Sequence, residues 1–279
     1  RRQEANDDIG TRQWNAARWH LDKLLAIDPK DTNARADRAR VLLAMGAADA
    51  AKADIDQLPN GGGSDWKLWE MRGLMAQRKG RWAEAATAFG TAAELRPLNY
   101  DLVRCWVASL VLADDQDGAK KAAAVIRERV VRQFGSSETG LRMIQALGSA
   151  GDVATGWDEL HGIANKAWRD HWPQQVVARA AYHAGKFDKA VQAATISLGF
   201  YSVWPPHVNN WLLLAAAYQR RGDETEARRW YEKATVWIDK AVREQSAETL
   251  APGSLDVPDW LECQILRREV EKLLGKKGG

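Results

Sequence analysis

Ala17, Ala51, Ala85 and Ala119 stand 34 residues apart along this chain. A small side chain recurring at that period constrains the fold strongly, because units of this length cannot bury an apolar face alone and must stack. The clearest unit is 69–97, WEMRGLMAQRKGRWAEAATAFGTAAELRP. Counting Trp69 as position 4, Gly73 falls at 8, Gly80 at 15, Trp82 at 17, Ala85 at 20, Phe89 at 24, Ala92 at 27 and Pro97 at 32. Small residues at 8, 20 and 27 let two antiparallel helices approach closely, and aromatics at 4, 17 and 24 fill the space around that contact. Gly80 ends the first helix and Pro97 stops the second.

The register extends in both directions. The turn position is Gly46, Gly80 and Asp114, then Gly151 after 37 residues, Gly185 after 34 and Gly222 after 37. In that second run position 20 falls on Gly156, Ala190 and Ala227, which makes seven small residues in seven repeats. Two insertions of three residues, near 134–136 and 202–206, interrupt the count.

This spacing resembles that of the tetratricopeptide repeat (TPR) family. The resemblance implies an all-α, right-handed TPR solenoid of about seven helix pairs, the first truncated, with a C-terminal capping helix. It also implies a scaffold that binds proteins or peptides on its concave face. The stretch NWLLLAAAYQRRGDETEARRWYEKA, followed by DWLECQILRREVEKLL, further resembles the C-terminal end of large bacterial regulatory proteins carrying a WD40 propeller or a Ser/Thr kinase domain.

The repeats are placed at 1–31, 32–63, 66–97, 100–134, 137–168, 171–201 and 208–245, so that 1–245 forms one array. Arg1 already sits at position 4, inside a helix, and the chain reads as a fragment of something longer. Pro59 through Gly63 reads as a flexible turn; no Gly-Lys-Ser/Thr follows the glycines, so it is not a phosphate loop. Ser137 is placed as a helix cap. A loop at 246–258 leads to the capping helix at 259–274, and 275–279 is expected to be a disordered tail. On that helix Trp260, Leu261, Ile265, Leu266, Val270, Leu273 and Leu274 form one apolar stripe, while Glu262, Arg267, Arg268, Glu269 and Lys272 are assigned to water.

Lys+Arg 40 against Asp+Glu 37 leaves a net charge of only +3, which gives no electrostatic reason for a nucleic-acid or anionic-membrane partner. No apolar run approaches the roughly 18 residues of a membrane span. Cys105 and Cys263 are isolated, which argues against a disulfide framework or a zinc site and points to a reducing, cytoplasmic setting. The 14 tryptophans outnumber Phe and Tyr together and read mainly as core filler.

No residues assemble a nucleophile, a base and an oxyanion site, and no cofactor is implied. His20, His161, His171, His183 and His207 have no metal-binding spacing and read as surface or boundary residues. Asp114-Asp115 falls at an inter-helix turn, where Asp caps helices. Recognition is the stronger reading. By the TPR resemblance, positions 2, 5, 9 and 12 of each first helix line the groove. Here they include Arg40, Lys67, Gln77, Arg104, Gln145, Arg179, Tyr182, Asn209 and Gln219, a polar set with several cations suited to a protein or an extended peptide with acidic groups. The family's carboxylate clamp is absent, since Ala36, Arg40 and Met71 occupy its positions. Trp168, Trp172 and Trp204 lie off the core positions and form a candidate exposed aromatic patch beside Pro205-Pro206. Two other functions fit the same residues: self-association or a spacer role, and regulation of a linked kinase.

Overall fold

The computed structural model describes residues 1–11, 13–58, 65–166, 171–199, 207–245, 250–253 and 255–275. The glycine turn at 59–63, Trp168, Trp204, the side chain of Trp172 and the tail beyond Gly275 lie outside them. Among the described residues there are fifteen α-helices and no strand. They fall into two compact blocks, an N-terminal one of 1–96 with 245–250 and a C-terminal one of 97–244 with 251–279.

The N-terminal block holds three helix pairs: α1 (Arg2–Gly10) with α2 (Trp14–Ile27), α3 (Thr32–Ala44) with α4 (Ala48–Asp56), and α5 (Trp66–Arg78) with α6 (Trp82–Leu95). Each pair packs internally, α2 packs on α3, and α3 packs on α5. Ala5, Ala17, Leu21, Leu25, Ala34 and Val41 make a buried cluster, flanked by Ile9, Trp14, Leu24 and Met45. The small-residue logic holds at atomic detail. A Cβ added to Gly73 would lie 2.7 Å from the buried ring of Phe89.

The C-terminal block continues with α7 (Tyr100–Leu112), α8 (Gln116–Arg129), α9 (Glu138–Ala150), α10 (Trp157–Ala164), α11 (His171–His183), α12 (Phe187–Gly199), α13 (His207–Arg220), α14 (Glu224–Arg243) and α15 (Val257–Leu273). The first helices α7, α9, α11 and α13 pack on one another in succession, which makes one face of the block from first helices alone. Asp115 and Ser137 cap α8 and α9, accepting from the Gly118 and Gly140 N–H groups at 2.8 and 3.2 Å.

The turn position is left-handed throughout: Gly46, Gly80, Gly151, Gly185 and Gly222 all have positive φ. Asp114, with φ 61°, is the one non-glycine residue in that region among the described residues. The insertion near 134–136 is a π-helical turn, Val130–Phe134, that extends α8 and is closed by Gly135 at φ 51°.

One register assignment changes. In the other repeats the position-20 alanine donates its N–H to the carbonyl of the residue capping its helix, as Ala85 does to Arg81 at 3.0 Å. In the fifth repeat the residue in that place is Leu160, bonded to Gly156 at 3.1 Å and fully buried. Gly156 itself is the cap, at φ 78°. A short 3-10 turn, Gly151–Val153, lengthens the link, so the small residue at the expected count lies outside the helix.

Candidate binding face

Helix α15 decides what the first-helix face of the C-terminal block can do. It packs against α13, α7 and α9. Its buried residues include Leu261, Glu262, Cys263, Ile265, Leu266 and Val270. At roughly 100° per residue, Glu262 falls in the middle of that buried arc, with Leu261 and Ile265 to one side and Cys263, Leu266 and Val270 to the other. The amphipathic pattern assigns Glu262 to water, yet it is 3% exposed. Two guanidinium groups make its burial tolerable.

Arg104, on α7, directs Nη2 to the carboxylates of both Asp259 and Glu262, the latter at 3.2 Å. Burial works against its charge, but those two carboxylates outweigh it and the pKa is raised. Arg179, on α11, donates from Nε and Nη2 to the Gly148 carbonyl at 3.3 and 3.0 Å, and its Nη1 lies 3.6 Å from Glu262 Oε1. Tyr182 donates its hydroxyl to Glu269, with burial first and that carboxylate second holding its pKa up. Asn209 Nδ2 donates to the Asp259 backbone carbonyl at 3.1 Å.

Four of the nine side chains assigned to a partner-facing groove thus meet α15 of their own chain. Gln145 is also buried in this block, and Gln219 is half-buried with its Oε1 unbonded. In the N-terminal block Arg40 and Lys67 remain partly exposed and share one carboxylate, that of buried Asp37, at 4.0 and 3.4 Å. Gln77 is buried there with its Oε1 lacking a hydrogen-bond partner.

Sequence reasoning singled out Arg104, Arg179, Tyr182 and Asn209 as partner-facing and missed that Asp259, Glu262 and Glu269 of the same chain lie against them. A carboxylate on an amphipathic helix is read as solvated by default. The available signal was the position of Glu262 inside the apolar arc.

The histidines also divide. His161 is buried, with Nδ1 3.4 Å from Lys186 Nζ, and burial first, then Lys186, lowers its pKa. The His183 side chain is buried and stacks on Trp157 with ring centroids 4.7 Å apart. Both therefore belong to the interior rather than to a surface or boundary. Among the described residues no group of three or more His, Cys, Asp and Glu side chains could hold a metal ion, and no helix is long and apolar enough to cross a membrane.

No protein-family model matches the sequence, and no curated protein matches it. Among solved structures, a tetratricopeptide repeat protein from Parabacteroides merdae ATCC 43184 is similar at 14% identity and a TM-score of 0.56, over 84% of this chain and 90% of that one. Looser likenesses, with TM-scores of 0.46 and 0.35, are to yeast Tom70 (16% identity, 84% of this chain, 47% of that one) and to MamA protein (16%, 66% and 97%). The likeness to the Parabacteroides protein agrees with the helix pairing, the left-handed turns and the buried alanines, and the chain has the fold of a tetratricopeptide repeat solenoid.

Proposed function

We propose that the chain is a non-catalytic scaffold that holds segments of partner proteins on the faces formed by its first helices. One observation carries this reading: such a face in the C-terminal block already grips a helix through Arg104, Arg179, Tyr182 and Asn209. Helix-in-groove and charge-assisted contacts of this kind are how scaffolds without catalytic groups select partners. In the N-terminal block, Arg40 and Lys67 divide one carboxylate between two cations, so the pair retains positive charge for an acidic side chain on a partner. The C-terminal sequence resemblance supports a place within a larger regulatory protein.

A photo-crosslinking amino acid placed at Arg40 or Lys67 tests this, with the same group at exposed Thr87 on α6 as control. Partners are expected to be trapped from the first-helix positions and not from Thr87. Equal trapping from all three sinks the reading.

A further inference from the structure

Helix α15 meets its face as a ligand meets a receptor. Its contacts are far apart in sequence: Arg104 with Asp259 and Glu262, Arg179 with Glu262, Tyr182 with Glu269. Its recognition elements sit on one arc in helical spacing, carboxylates at i, i+3 and i+10 set among Leu261, Leu266 and Val270. Thirteen residues, 244–256, separate it from α14 along the chain. A tethered helix of this kind holds its site by high effective concentration, whatever the quality of its fit.

The fit leaves hydrogen-bonding capacity unused. Arg179 Nη1 pairs with Glu262 at 3.6 Å, too far for a hydrogen bond, and Asn209 Oδ1 is buried on this face with no hydrogen-bond partner. Buried ion pairs add little net stability over an apolar replacement, but they discriminate strongly between a helix that supplies carboxylates and one that does not. The face therefore has the properties of a selective acidic-helix site whose present occupant does not satisfy every donor and acceptor.

We infer that the first-helix face of the C-terminal block is a receptor for an acidic amphipathic helix, and that α15 is its tethered occupant, displaced when a partner helix of that pattern binds. This rests on the scaffold reading and names the partner class for one of its two faces. The partner helix carries carboxylates at i and i+3, a third near i+10, and leucine or valine between them. Arg104 reads the first two carboxylates, Arg179 pairs by charge with the second, and Tyr182 bonds the third.

The test uses the full chain and a fluorescent peptide with the sequence of residues 256–273 as probe. In the intact chain, hydrogen exchange should show the α15 amides opening at least ten times more often than those of α13. The double variant Asp259→Asn with Glu262→Gln, which weakens the tethered helix, should bind the peptide at least ten-fold tighter than the unmodified chain. Adding Arg104→Glu, or placing lysine at the three acidic positions of the peptide, should abolish that gain. Exchange of α15 in step with α13 overturns the inference without any variant. So does a double variant that keeps its helical circular dichroism and binds the peptide no better. Crosslinking at Arg40 and Lys67 reports on the scaffold reading separately, so either idea can fail alone.

Discussion

Gly148 and Arg179 are fitted to each other across α9 and α11. The Gly148 carbonyl accepts from Arg179 Nε and Nη2 at 3.3 and 3.0 Å, and a Cβ on Gly148 would lie 2.7 Å from Arg179 Cγ. The missing methyl is what allows the guanidinium to lie along the neighbouring helix. Gly148→Ala should raise helix propensity locally by about 0.5–1 kcal/mol, yet lower overall stability by about 1–3 kcal/mol because the arginine stem has no room to move. Urea unfolding of the variant measures the net effect, and a gain in stability would contradict the fit.

Gly73 and Phe89 make the same kind of pair between α5 and α6, with apolar atoms alone. Gly73→Ala should cost about 1–3 kcal/mol by overpacking, since the added methyl meets the ring at 2.7 Å. Combining it with Phe89→Leu should give back part of that loss, with a coupling of about 1 kcal/mol or more. Strict additivity of the two substitutions would show that they do not share the space.

Asp114 carries φ 61° where the other described turn positions have glycine. The left-handed conformation costs an L-residue roughly 1–2 kcal/mol, reduced for Asp by local hydrogen bonding. Asp114→Gly should leave stability unchanged or raise it by up to about 1 kcal/mol, while Asp114→Val should lower it by about 1–2 kcal/mol. Thermal unfolding of the pair checks the order; Val above Gly would refute it.

His161 gives the fold a dependence on acid. Burial, then the ammonium of Lys186, depresses its folded pKa below the ordinary value of 6.5. The unfolded chain therefore binds the proton more readily. The stability linked to neutral His161 is fully present above pH 6.5 and is lost as the pH falls through the lower folded value. Unfolding measured at pH 7.5 and pH 5.0 should show a larger drop for the native chain than for His161→Gln. An equal drop would remove His161 as the cause.

The repeat was legible because its constraints are local and steric. Ala85 can only be small, and Gly80 can only be glycine or a residue that tolerates positive φ, wherever the chain is met. Position 20 of the fifth repeat fell on Gly156 instead of Leu160 because the turn before it is longer, so counting from Gly151 lands on the capping glycine. Glu262 was missed for a different reason. Its place in the apolar arc signals burial, but no periodicity within α15 reports the Arg104 and Arg179 guanidinium groups that make that burial tolerable.

Order of synthesis gives the Arg104–Asp259 contact a further meaning. The two residues are 155 positions apart. At about 5–20 residues per second, the guanidinium emerges roughly 8–30 s before its carboxylate. During that interval α7, α9 and α11 can assemble while Arg104 is still hydrated and the face is unoccupied. A partner helix present at the ribosome would meet no competitor, so the time of encounter, as well as affinity, would decide which helix the newborn chain closes on.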